Sequence, residues 1–262
     1  MKTRHMFAAM LGFMLLLGTP NLSIAQNIVV PSGNAAVEGG SANGYPFHIG
    51  FFSLSQQRYQ QVYSSSEFSS IGSPILISQI AFRPSSNFGA AFSTILPDVQ
   101  INLSTTPALP DALSLTYANN VGADDTIVYT RGALPLSSSF TGSGPKDFDI
   151  VITLTTPFLY DPASGSLLLD VRNFGGGTTT FFDATNAPGI MSRLYNEDND
   201  VNAVTGTPEV LGAGYGLITQ FTFAAVPEPT TWALIGVCTA ATGAYTWKKQ
   251  RKNIKNRFAK KK

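Results

Sequence analysis

Asp147-Phe148-Asp149-Ile150-Val151-Ile152-Thr153-Leu154 decides the fold class. Phe148, Ile150, Ile152 and Leu154 recur at every second position, so an extended chain puts them on one face and the acidic Asp147 and Asp149 on the other. Val99, Ile101 and Leu103 alternate in the same way with Gln100, Asn102 and Ser104. Further extended runs are expected at Phe47–Phe52, Arg58–Tyr63, Ile75–Phe82, Thr126–Thr130, Leu167–Phe174, Thr178–Phe182 and Leu217–Phe223. Turn clusters such as Thr141-Gly142-Ser143-Gly144-Pro145 and Asp161-Pro162-Ala163-Ser164-Gly165 separate them. Between Gln26 and Ala225 there is no amphipathic helix and no repeat of fixed period. About nine or ten strands without crossover helices argue against a parallel α/β sheet. The expected class is all-β, an antiparallel β-sandwich with jelly-roll-like connectivity.

Composition narrows the function. Of 262 residues 44% are hydrophobic, too many for disorder, and only 13% are charged, about half the usual share of roughly 25%. The formal charge of +1 hides a strong asymmetry. Lys2 and Arg4 lie in the first 25 residues and nine Lys/Arg in the last 15. The six that remain face all 16 acids, which leaves −10 between the two ends. Such a body excludes a general nucleic-acid binder, which needs a basic face.

The ends read as targeting segments. Residues 1–25 have the pattern of a secretory signal peptide: Lys2 and Arg4, a 13-residue apolar stretch from Met6 to Gly18, then Ser23-Ile24-Ala25 as a small-residue cleavage site for signal peptidase. Residues 26–225 form the extracytoplasmic β-domain. At the other end Thr230–Trp247 is 18 residues without a charge, and a helix of that length reaches about 27 Å, enough for a thin bilayer. Trp232, Tyr245 and Trp247 fall where amphipathic rings favour the headgroups. The stop-transfer cluster Lys248, Lys249, Arg251 and Lys252 opens a basic tail, residues 248–262, that stays cytoplasmic and leaves the acidic body outside. Cys238, the only cysteine, lies in the apolar segment, so the body has no disulfide, zinc ribbon or cysteine nucleophile.

Just ahead of that segment stands Val226-Pro227-Glu228-Pro229. Each proline fixes its own φ and pushes the preceding residue out of the helical region, so the backbone is held extended, as a protease groove requires. This tripartite end resembles the PEP-CTERM sorting signal of Gram-negative bacteria over residues 226 to about 252. The resemblance implies a substrate of exosortase, an integral-membrane cysteine protease or transpeptidase that cuts near the Pro-Glu-Pro in organisms that often make exopolysaccharide. It also implies recognition through Pro227, Glu228 and Pro229, with the catalytic groups on the partner. The body, in phrases such as Arg58-Tyr59-Gln60-Gln61-Val62-Tyr63, is similar to β-sandwich bodies found upstream of that signal, which carry no assigned activity.

Chemistry within the body is sparse. His48 is the only histidine beyond the signal segment, and alternation sets it opposite Phe47 and Ile49, on the solvent face. No G-x-S-x-G surrounds any serine. The expectation is a protein without catalysis of its own. Asp198, Asp200 and Asn202 have the 1-3-5 oxygen spacing of calcium loops, with Glu209 at position 12, although Ala203 stands where an EF-hand needs glycine and no helices flank the loop. Tyr59, Gln61 and Tyr63 share one strand face, where rings and an amide offer stacking and hydrogen bonds to a glycan, although tyrosines at alternate strand positions more often pack in the core or across strands. The sequence therefore predicts an exported protein held first in the inner membrane, then sorted to the cell surface or extracellular matrix. Its expected role is structural or adhesive in an exopolysaccharide layer. The alternative is a carbohydrate-binding module, calcium-dependent or not, or a glycan-active enzyme working through a carboxylate pair.

Overall fold

Period-two alternation folds here into three antiparallel sheets. The computed structural model describes residues 24–72, 74–140, 144–208 and 214–226. Within them the strands are β1 (Gln26–Val30), β2 (Ser41–Asn43), β3 (Gln57–Tyr63), β4 (Ile75–Phe82), β5 (Phe92–Thr106), β6 (Thr126–Ser138), β7 (Ile150–Tyr160), β8 (Ser166–Asn173), β9 (Phe182–Asn186), β10 (Met191–Tyr195), β11 (Thr207–Pro208), β12 (Tyr215–Leu217) and β13 (Thr219–Ala225). The chain divides into two units, Met1–Ala225 and Val226–Lys262. Val226 is the only described residue of the second.

A four-stranded sheet has the order β1-β13-β4-β7, a six-stranded sheet the order β11-β10-β3-β8-β5-β6, and a small sheet the order β12-β9-β2. Their inner faces share one core. Tyr63 of β3 meets Phe221 of β13 at right angles with ring centroids 5.1 Å apart, and Phe68 packs on both Tyr160 and Phe221. Phe47, Phe82 and Phe182 form a second group of touching rings. Each fully buried ring contributes about 1.5–3 kcal/mol over its exposed state. The result is all-β and sandwich-like.

From Ile150 on, the decisive stretch becomes β7 with its inner face as expected: Ile150, Ile152 and Leu154 are buried, while Val151 and Thr153 are exposed; Phe148 stays ahead of the strand, half-buried against Arg83. The acids that precede it are not in the strand. Asp149 instead accepts hydrogen bonds from the Ser138 hydroxyl at 3.0 Å and the Ser139 N–H at 2.9 Å, bracing the turn from β6. Farther along, β7 bulges between its pairings with Gln79 and Ile77, around Pro157, which has no N–H for a ladder. Thr155 sits in that bulge. Its hydroxyl accepts the Thr130 N–H and donates to the Val128 carbonyl, joining β7 to β6 by a side chain.

Two expected strands are not strands. Phe47–Phe52 turns into a 3-10 helix over Ile49–Phe52, because His48 N–H closes back on the Gly44 carbonyl and Ser53 takes φ 61. Residues 178–181 run as a loop, Thr179 bonded to the Phe47–His48 segment and Thr180 and Phe181 accepting from the Ala90 and Ser85 N–H groups, and the strand begins only at Phe182. The chain leaves the four-stranded sheet at Ala225, beside Ile75. Phe82 ends β4 at its opposite end, seven residue steps or about 23 Å away.

Candidate functional site

The predicted glycan face is closed. Tyr59, Gln61 and Tyr63 are wholly buried, and no residue of β3 is more than 9% exposed. The Gln61 amide donates to the Leu217 carbonyl and its oxygen accepts the Leu217 N–H, both at 2.8 Å. Tyr59 donates its hydroxyl to Gln61, and Tyr63 pairs with the Thr219 hydroxyl at 2.8 Å. The other face is covered by the Ser114–Asn120 segment. Gln60 donates to the Tyr117 carbonyl, and the Arg58 guanidinium lies 4.6 Å from the Tyr117 ring centroid while pairing with Asp170 at 2.6 Å. Alternation alone shows that β3 has two faces; it does not show that β12 and β13 cover the one bearing Tyr59, Gln61 and Tyr63 while a distant loop covers the other. The contact set Tyr59, Gln61 and Tyr63 is therefore corrected to core.

His48 is corrected as well. It is 6% exposed, its Nδ1 accepts the Thr179 N–H at 2.8 Å, and its ring stacks on Phe51. Burial holds its pKa below the usual histidine value. The 3-10 turn moved it off the solvent face.

The acidic loop sits beside Tyr45 and Ser55. Glu197, Asp198, Asn199 and Asp200 are exposed. Glu197 accepts the Tyr45 hydroxyl at 2.5 Å, and Asn199, at φ 55, accepts the Ser55 N–H at 2.6 Å. Asp200 accepts the Asn202 N–H at 2.9 Å, a local turn that uses the carboxylate on its own backbone. Among the described residues no three His, Cys, Asp or Glu side chains come together as a metal site. Glu209 lies outside the described residues.

Sequence reasoning missed a group of surface rings. Phe51 is 61% exposed, Phe52 39% and Phe88 68%, and Phe181 joins them half-buried. Phe181 meets Phe51 at 5.0 Å, Phe52 at 6.3 Å and Phe88 at 6.4 Å, all edge to face, while Phe51 and Phe52 lie 5.3 Å apart. His48 and Tyr45 lie against this ridge, Tyr45 touching Phe52 at 4.7 Å. The signal available was two adjacent phenylalanines before Ser53, but reading them as strand assigned one to each face.

Of the sorting residues only Val226 is described; Pro227, Glu228, Pro229, the apolar segment 230–247 and the cluster Lys248, Lys249, Arg251 and Lys252 lie outside, as do residues 1–23 of the signal segment. Among the described residues no helix is long and apolar enough to cross a membrane. No family model matches the chain, and no curated protein matches it.

Proposed function

We propose that the chain is an exported surface or matrix protein with a jelly-roll body, cut at its C-terminal end by an exosortase-type transpeptidase. Its role is structural or adhesive within an exopolysaccharide layer. The jelly-roll assignment is supported by strand order. The orders β1-β13-β4-β7 and β3-β8-β5-β6 form two four-stranded halves in which β3 to β4, β4 to β5, β6 to β7 and β7 to β8 each change sheet. Strands β10 and β11 extend the second half beyond β3.

One observation carries the sorting proposal: the last ladder pair of the body is Ala225 with Ile75, and the Val226-Pro227-Glu228-Pro229 motif follows at once. Strand β13 is held on both sides, by β1 and β4, so a cut in 226–229 leaves every described strand in place. At the other end β1 begins at Gln26, the residue expected to follow signal-peptidase cleavage, and it pairs with Phe223 of β13. The partner supplies the nucleophile. This chain supplies the Val226-Pro227-Glu228-Pro229 sequence, whose prolines disfavour helical backbone, and a carboxylate at Glu228. The test is Glu228→Ala in an exosortase-bearing Gram-negative host, followed by mass analysis of the cell-bound product. Wild type is expected shortened and the variant full length; a variant processed like wild type would refute recognition through Glu228.

A further inference from the structure

We propose that the phenylalanine ridge at the end of the body opposite Ala225 binds an uncharged polysaccharide chain, with sugar rings laid against Phe51, Phe52, Phe88 and Phe181 and hydroxyls donated to the adjacent carboxylates. The ridge is built rather than incidental. Gly50 N–H bonds the Gly177 carbonyl, and a Cβ at Gly50 would lie 2.7 Å from the Thr178 hydroxyl. Gly89 N–H bonds the Ser85 carbonyl, and a Cβ there would come within 2.5 Å of that oxygen. Both ring-bearing turns are thus fixed by close backbone approach, and His48 stacks beneath Phe51.

Size and charge select the occupant. Three rings at 61%, 39% and 68% exposure offer roughly 300–400 Å² on side chains of about 200 Å² each. A stable protein interface needs about 800 Å² per partner, so a second copy of this chain is too large a ligand for this patch. The rings touch one another at 5.0 and 5.3 Å, which leaves no cage between them for an ammonium ion. Through Tyr45, which packs on Phe52 and donates to Glu197, the ridge adjoins Glu197, the first residue of an exposed run that carries Asp198 and Asp200. Those charges repel anionic lipid headgroups, nucleic acid and acidic polymers. A narrow chain with apolar C–H faces and hydroxyl donors satisfies both the rings and the carboxylates. The ridge lies toward the Phe82 end of β4, where the Ser85 N–H bonds the Phe181 carbonyl, and Ala225 pairs at the other end. The proposal stands independently of the sorting proposal.

The experiment uses the full-length chain in phosphatidylcholine nanodiscs, co-sedimented with insoluble cellulose, β-1,3-glucan and mannan at low and high salt. Retention on at least one of them, insensitive to salt, is expected. Phe51→Ala and Phe88→Ala should each weaken it about tenfold, the scale of losing one stacked ring. Phe88→Tyr should retain it, and Leu159→Ala, an exposed apolar site on β7, should leave it unchanged. The proposal is overturned by no retention on any of the three, by retention that survives both phenylalanine variants, or by loss equal in Leu159→Ala. Ridge-dependent binding to anionic vesicles, or ridge-dependent self-association, would overturn it in favour of a membrane or a second copy.

Discussion

Replacing Arg83 by methionine strands a carboxylate in the interior. Arg83 is 1% exposed; its Nε donates to Asp183 at 2.8 Å, and its NH2 donates to the carbonyls of Val37 at 2.6 Å and Asn34 at 3.0 Å. Methionine keeps the stem packed beside Phe148 but removes the charge. The two carbonyls lie near the surface, where water replaces the donor, while Asp183 keeps only the Gly39 N–H. Removing one partner of a buried pair costs about 3–5 kcal/mol. For a body of some 200 residues, at about 2–4 °C per kcal/mol, the melting temperature should fall by about 6–20 °C. The loss should also depend on pH. Burial already pushes the Asp183 carboxyl above the usual carboxylate range. A folded-state pKa above the unfolded value gives stability that is full below the unfolded pKa and lost as pH rises through the folded one. Without the guanidinium the folded pKa rises further, so the gap between variant and wild type is wider at pH 8 than at pH 5. Circular-dichroism melts at both values test this, and Asp183→Asn in the Arg83→Met background should narrow the gap at pH 8. A melting temperature within about 2 °C of wild type at both pH values, or a gap the same at both, would refute the reasoning.

Other perturbations follow from single contacts. His48 has a depressed folded pKa, so its contribution is present above the unfolded value and lost as pH falls through the folded one; His48→Asn should flatten the decline in melting temperature between pH 7 and pH 5, and an unchanged slope would count against it. Gln61→Ala takes the acceptor from the Leu217 N–H inside the core, while the Leu217 carbonyl keeps the Thr219 hydroxyl, and should destabilise by about 1–3 kcal/mol by urea unfolding. Thr155→Val removes the hydroxyl that links β7 to β6 and should cost about 1–2 kcal/mol in the same assay, with hydrogen exchange rising at Thr130.

The fold class was legible in the sequence because one physical regularity, a side-chain period of two, is local. Ile150, Ile152 and Leu154 point inward whatever the rest of the chain does, and Ile75–Phe82 appears as β4 with the expected ends. Where a strand depends on distant pairing, local pattern carried less. Met191–Tyr195 is entirely buried and has no alternation to read, and Ser41–Asn43 exists only as a partner of β9. The candidate site failed for the same reason. Tyr59, Gln61 and Tyr63 share a face as the spacing requires, but that face meets β12 and β13, 156 residues on from Gln61 and Tyr63. The exposed ridge joins Phe51 to Phe181 through a loop contact at Gly50 and Gly177, which no periodicity encodes.

Processing at both ends is the centre of this account, and intact-mass analysis of the mature protein from its own host tests it most directly. The mass should correspond to a chain that begins at Gln26 and ends within or near residues 226–229, with none of the lysine-rich tail. A product that still carries Lys262 would contradict it.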